Sequence, residues 1–203
     1  MSEKAEIPVS LLDLSRSTPL IEAWFEIVHL KQLYRKGWLV RGVAAADCET
    51  VAEHTFGNAL LCLLLLKQHP NLDPLRVLKL ALIHDIGEAY VGDITPHDNI
   101  EPDEKVRLES EAVTKIFGKL PGGEALIADW HEYEAQETPE ARFVKQIDRL
   151  ELAMQASVYE HQGKVEASEF RASAARHVTS DILKAELAAL NRLMTFIRPP
   201  EKD

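Results

Sequence analysis

His84 and Asp85 stand together in the stretch LALIHDIGEAYVGDIT, directly after four core-type residues, Leu80 to Ile83. A carboxylate in that position is costly to bury unless it is paired or bound to a cation. Imidazole and carboxylate together form a donor set that suits a divalent first-row metal. A helix end with Asp85 near the surface is the simpler explanation of the pair taken alone, because such a dipeptide is common by chance. Glu88 follows Asp85 by three residues, on nearly the same helical face, and is placed beside such a site without having to be a ligand. Its bland alternative is a solvated glutamate in the last turn of the helix, an unfavourable end for negative charge. Asp93 comes just after Gly92 and reads either as a site carboxylate or as a turn or N-cap aspartate.

Two more groups of the right type lie elsewhere in the chain. His54 occurs in ETVAEHTFGNALL, where Val51, Leu60, Leu61 and Leu64 supply an apolar face. Asp148 occurs in FVKQIDRLELAMQA among Phe143, Val144, Ile147, Leu150, Leu152 and Met154. A lone histidine on such a helix is usually a satisfied core residue. A lone aspartate there is usually solvated or paired, here with Lys145 or Arg149. Between the first helices, Arg35, Lys36 and Arg41 cluster around Trp38 in the connection RKGWLVRG. Trp38 can stack on a base or plug the core, and Arg41 can equally be structural.

The elements that must position these groups are all helical. Breakers divide the chain into segments with a 3.6-residue period: about Pro19 to Tyr34, Thr50 to Gln68, a helix capped by Asp73 with Pro74 in its first turn, Asp103 to Phe117, Glu124 to Glu134, Glu140 to Tyr159, and Ser168 to Phe196. No strand pattern of useful length, repeat or long linker interrupts them. The 203 residues therefore read as one all-α domain, a helical bundle with a core at about 20–160 and additional helices at about 165–197.

One histidine, then an HD pair, then a distant aspartate, each on its own helix, resembles the HD-domain superfamily of metal-dependent phosphohydrolases. GWLVRGV…ETVAEHTF, LALIHDIGEAYVGDITPHDNI and FVKQIDRLELAMQASVYE resemble the matching blocks of its 5′-deoxynucleotidase branch, over about Trp24 to Tyr159. The segment RGVAAADCETVAEH is a few residues longer than in the bacterial pattern. The resemblance implies that His54, His84, Asp85 and Asp148 hold one divalent ion, such as manganese, cobalt, magnesium or ferrous iron. It implies a catalytic role for Glu88, a supporting one for Asp93, and a basic residue, Arg35 or Lys36, on the substrate phosphate or sugar. A phosphate dianion needs such cationic or N–H partners, so Arg41 and Trp38 are further candidates for the substrate pocket. His29, His69, His97, His131, His161 and His177 fall outside the implied ligand positions, so a mononuclear centre is expected.

The function implied is removal of the 5′-phosphate from deoxyribonucleoside 5′-monophosphates. Two alternatives stand beside it: an HD phosphohydrolase of nucleoside triphosphates or cyclic nucleotides, and a non-catalytic scaffold that binds metal or nucleotide. A di-iron oxygenase of the same fold would need more histidine ligands than the chain places. The formal net charge of -10 speaks against a nucleic-acid polymer as partner, and the longest apolar run, Ala59 to Leu66, is too short to span a bilayer. Cys48 and Cys62 show no paired-motif spacing, and MSEKAEIPVS has no signal pattern, which together point to the cytoplasm. The branch is commonly dimeric, and amphipathic helices over about Glu140 to Phe196 are the expected source of a homodimer face.

Overall fold

The computed structural model describes residues 2–196. Ten helices follow one another: α1 (Pro19–Ile27), α2 (Lys36–Val40), α3 (Val51–Leu66), α4 (Pro74–Ile83), α5 (Glu88–Val91), α6 (Pro102–Phe117), α7 (Gly123–Ala135), α8 (Pro139–His161), α9 (Ser168–His177) and α10 (Asp181–Phe196). Among the described residues there are two isolated bridges, Glu3 with Leu33 and Tyr34 with Thr50, and no strand. The fold is the expected all-α bundle.

Local chemistry sets the starts of the helices that matter most. Thr50 and Glu53 form a reciprocal capping box at α3, with the Thr50 N–H donating to Glu53 Oε2 at 2.6 Å. Asp73 accepts from the N–H groups of Leu75 and Arg76 with Pro74 at the first position of α4, and Thr138 does the same for α8 ahead of Pro139.

Three spans differ from expectation. The first helix stops at Ile27 and tightens into a 3-10 turn, Val28–Lys31, after which Leu33 and Tyr34 run extended against Glu3 and Thr50. The helix through the HD pair ends at Ile83, and residues 84–87 turn before α5 begins at Glu88. The C-terminal span breaks at Val178–Ser180, where Val178 is extended and the N–H groups of Thr179 and Ser180 both donate to Gln146 Oε1. The β-branched pair and a serine whose N–H is already held by a side chain favour a break there.

The interior is built around two main apolar clusters. One gathers Cys62, Val77, Leu80, Ala81, Tyr133, Val144, Ile147 and Leu150 with residues of α9 and α10. The other gathers Ala23, Leu33, Val51, Ile83, Ile86, Val113, Ile116 and Trp130. Helices α3, α4 and α7 each feed both clusters, and His54 and His84 lie on α3 and α4 at the crossing from one to the other. Packed on both sides, these two elements hold side chains more rigidly than loops do.

Candidate metal centre

His54, on the first turns of α3, and His84, the residue that ends α4, are both buried, and their rings meet edge to face at 5.5 Å. Each ring is fixed from behind. Glu151 Oε2 lies 2.6 Å from His54 Nδ1, and the Ala81 carbonyl lies 2.8 Å from His84 Nδ1. Nδ1–H donation in both rings leaves the Nε2 lone pairs free, and both point at Asp85. Asp85 Oδ2 is 3.2 Å from His84 Nε2 and 3.7 Å from His54 Nε2. Trp130 Nε1 donates to the His84 carbonyl at 3.0 Å, and the Tyr133 ring packs on the imidazole at 5.3 Å, so α7 braces this ligand.

These atoms pass a direct test for a cation. His54 Nε2, His84 Nε2 and Asp85 Oδ2 are all buried without a hydrogen-bond partner. One donor atom from each of the three residues lies within 4.8 Å of the other two. Buried polar atoms are ordinarily satisfied, and three converging acceptors are satisfied together by a metal ion. Asp148, on α8, joins through Oδ1, 3.3 Å from His54 Nε2. Imidazole and carboxylate donors in this number fit a divalent first-row ion with positions left open.

The electrostatics agree. Burial and the Arg35 charge both oppose a charged His54, yet the Asp148 and Glu151 carboxylates outweigh them and lift its pKa to about 10. A pocket that holds a proton so firmly on a buried ring is short of a cation, and a metal ligand must give that proton up. Burial works against the Asp85 anion, but His84, His54 and Arg35 hold its carboxyl far below the usual range. Burial likewise opposes the Asp148 anion, and His54 and Lys145 reverse the effect. Glu88 goes the other way: burial first, then Asp85 and Asp93, push its carboxyl well above the ordinary value. Neighbouring carboxylates driven apart in this manner differ in protonation: Asp85 and Asp148 are held ionised and Glu88 holds its proton.

Arg35 is the basic residue that the fold brings to the cluster. Its Nη1 lies 3.4 Å from Asp93 Oδ1, 3.7 Å from Asp85 Oδ2 and 4.0 Å from Glu88 Oε1. Lys36 turns its ammonium to Asp98, and only its backbone N–H reaches the site, donating to Asp93 Oδ2 at 2.6 Å. The segment that follows Arg35 is a closed loop. The Arg35 N–H donates to the Glu49 carbonyl at 2.9 Å, so the loop closes where it began. Gly92 (φ 77°) makes the turn that returns Asp93 toward these groups.

Two of the residues expected at the pocket lie elsewhere. Trp38 is 2% exposed, donates Nε1–H to Glu49 at 2.7 Å and packs against Tyr159 and Phe170. The structure makes it a core residue with no free face for a base. Arg41 pairs with Glu169 at 2.8 Å and lies over the Phe170 ring at 4.6 Å, tying α2 to α9 at the surface. Glu88 is also placed differently from the helix-end reading: it opens α5, where a negative charge meets no unfavourable dipole. Sequence reading passed over Glu151, although it follows Asp148 by one helical turn in an otherwise apolar stretch and so shares its face. Tyr133 and Trp130 carried no such signal.

A helical bundle whose seam brings two imidazoles and two carboxylates together as one set of donors defines a metal-site protein. Residues 27–191 match the HD domain family, and the chain belongs to it. It is 38% identical over 155 residues to 5′-deoxynucleotidase HDDC2 of Bos taurus, covering 75% of this chain and 74% of the relative. It is 40% identical to 5′-deoxynucleotidase hdd1 of Schizosaccharomyces pombe, covering 70% and 73%. Among solved structures, the PH0347 protein of Pyrococcus horikoshii superposes with a TM-score of 0.72 at 30% identity, over 85% of this chain and 99% of its own. A predicted metal-dependent phosphohydrolase of Magnetospirillum magnetotacticum gives 0.68 at 28% identity, over 87% and 94%.

Proposed function

We propose that this chain is a metal-dependent 5′-deoxynucleotidase, hydrolysing a deoxyribonucleoside 5′-monophosphate to nucleoside and phosphate. The observation that carries the reading is the convergence of three unpaired buried atoms, His54 Nε2, His84 Nε2 and Asp85 Oδ2, with the Arg35 guanidinium between Asp85 and Glu88, whose Oε2 is unpaired too. The names of the relatives supply the deoxynucleotide class. His54, His84, Asp85 and Asp148 hold the ion, which when bound polarises the phosphoryl group and acidifies water. Manganese, cobalt, magnesium and ferrous iron all suit the donors.

Arg35 binds the phosphate oxygens through its fork of N–H groups. Asp93, held by the Lys36 N–H, aims that guanidinium and offers its remaining acceptor capacity to the sugar. Glu88, holding its proton, gives it to the 5′-oxygen as the P–O bond breaks and takes one from the attacking water. The new oxygen–phosphorus bond leaves inorganic phosphate. The ion and Arg35 offset a pocket that is otherwise rich in carboxylates.

Stripped protein reloaded with each of the four ions is assayed for phosphate release from dAMP, dGMP, dCMP, dTMP and AMP. Release from the deoxy compounds in preference to AMP supports the reading. Silence on every monophosphate, with the ion bound, discards this substrate class and turns the search to triphosphates and cyclic nucleotides.

The reading extends to a homodimer in the cytoplasm. Most of the apolar surface of α8 and α10 packs on the core, with Leu183 and Leu187 buried, and Val158 and Leu193 are left exposed. The better face is on α3, where Phe56, Leu60, Leu63 and Leu64 are exposed on a helix without acidic or basic residues between His54 and Lys67. A strongly acidic chain meets its own copy most easily through an uncharged stripe. Light scattering on Leu63→Glu, expected to give a monomer, tests it. The two buried cysteines are both free, and among the described residues no helix is long and apolar enough to cross a membrane.

A further inference from the structure

The two histidines of the centre are oriented by different means. His84 Nδ1 meets a carbonyl of its own helix, Ala81, which any sequence would supply. His54 Nδ1 meets a charged side chain from another helix, Glu151 of α8, at 2.6 Å. Charge-assisted hydrogen bonds are roughly twice as strong as neutral ones, so the His54 arm is the one the chain has specially equipped. Through Asp148 and Glu151, one turn of α8 delivers two carboxylates to the two nitrogens of a single ring.

The opposite wall is built to receive that second carboxylate. Gly57 lies one turn after His54 on α3. A methyl group on its Cα would stand 2.7 Å from Glu151 Oε1, 3.3 Å from Cδ and 3.4 Å from Cγ. The first distance is inside any real Cβ contact, so the carboxylate occupies the space that a side chain at 57 would take. Gly57 is helical, with no positive φ. Glycine in a helix interior is less stable than alanine, and room for Glu151 is what the position gains.

We propose that Glu151, seated in a slot that glycine at 57 leaves open, is a positioning residue that fixes the ring and tautomer of His54 and sets the affinity of the centre for its divalent ion. The inference rests on the reading of His54 as a metal ligand. By accepting Nδ1–H, Glu151 holds the Nε2 lone pair toward Asp85 and Asp148 and makes it a stronger donor. Partners of this kind typically change metal affinity by about 10–100-fold.

The test uses the full-length protein stripped of metal and titrated with cobalt(II) alone, read by calorimetry and by the visible absorption of the bound ion. Glu151→Ala is expected to weaken cobalt binding about 10–100-fold and to alter the absorption bands. Glu151→Gln keeps the shape and is expected to weaken binding by less; it carries the test alone should the alanine variant not fold. Gly57→Ala is expected to weaken binding in the wild-type background and to add nothing in Glu151→Ala, because the clash it creates is then gone. Unchanged affinity and bands in both Glu151 variants would overturn the proposal. An equal loss from Gly57→Ala in both backgrounds would overturn the slot. If the wild type binds no cobalt, or His54→Ala binds as the wild type does, the metal centre itself is wrong. That failure is distinguishable from a Glu151 that merely does not matter.

Discussion

Glu26 and Glu88 are both almost sealed from solvent, at 2% and 3% exposure, and the chain treats them in opposite ways. Glu26 receives the Tyr90 hydroxyl at 2.5 Å and the Lys119 ammonium at 2.6 and 2.7 Å. It closes α1 on α5 and on the turn after α6. Glu88 has the edge of Arg35 at 4.0 Å and leaves Oε2 without a partner, beside two more carboxylates. The four residues of α5 thus carry a satisfied anchor, Tyr90, and an unsatisfied acid, Glu88, two positions apart. Burial without compensation is paid in stability, so where it persists beside a perfectly paired neighbour, the unpaired group serves something the chain itself does not contain. The satisfied region holds the unsatisfied one in place.

The largest effect expected from this contrast is on turnover. Glu88→Gln should lower phosphate release about 100- to 10,000-fold, or roughly 3–5 kcal/mol of barrier, since the amide cannot carry the proton. Metal content, measured by elemental analysis, should stay the same, and the melting temperature should hold or rise because a buried acid has been removed. Turnover close to that of the wild type would make Glu88 no more than a second Glu26.

The mirror-image change comes next. Glu26→Ala should lower the unfolding free energy by about 1–3 kcal/mol, leaving a half-buried lysine and a half-buried tyrosine without their acceptor. Urea unfolding measures the loss. Turnover per folded molecule should change far less than in the Glu88 variant. If the two variants exchanged phenotypes, the division into anchor and working acid would be reversed.

How much of this was legible in the sequence depends on what fixes each group. The four candidate ligands stand out through the order they share with the HD-domain pattern, since each alone reads as a core or solvated residue; His54 and Asp148 lie on long helices, and His84 and Asp85 in the turn that follows α4. The choice between Arg35 and Lys36 could not be read, because it turns on a closed loop, the Tyr34–Thr50 bridge and the Arg35–Glu49 bond, which no local pattern announces. Glu88 was placed at a helix end instead of a helix start for a related reason. The turn at 84–87 depends on Gly87, where an added Cβ would stand 2.8 Å from the Glu109 Cβ on α6, a contact between distant segments. The break at Val178–Ser180 likewise depends on a side chain, Gln146, from another helix. Glu151 was within reach, by its spacing from Asp148, and was overlooked among the leucines.

Glu109 is an intermediate case between the two extremes. Lys105 approaches its Oε1 to 3.4 Å, yet that oxygen lacks a hydrogen bond, and burial, against the pull of Lys105, raises the pKa to about 7. The folded state then binds more protons here than the unfolded chain does between about pH 4.5 and 7. Stability is therefore fully present below the unfolded value and declines as pH rises through the folded one. The rise from 4.5 to about 7 already contains the pull of Lys105 and corresponds to about 1–3 kcal/mol over the interval, or several °C in Tm for a chain of this size. Glu109→Gln should remove that part of the slope in melting curves taken across the interval. A slope that survives the substitution would move Glu109 to the satisfied side of the comparison.

The smallest effect is expected at Arg41, and it sharpens the contrast by holding the chemistry constant. Arg35 and Arg41 are the same residue type, six positions apart, and flank the same short helix. Arg35 faces three carboxylates from the interior, whereas Arg41 meets one exposed glutamate and the face of Phe170. An ion pair at the surface is screened and contributes little. Arg41→Ala should therefore change stability by no more than about 0.5–1 kcal/mol, stacking included, and leave KM for the monophosphate where it was. Arg35→Ala, assayed in parallel, should raise KM and lower kcat together, because it removes the cation that meets the phosphate. If Arg41→Ala raised KM as well, the substrate would have to reach across α2 to the α9 side, and Trp38 would need a different role from the core one its packing describes.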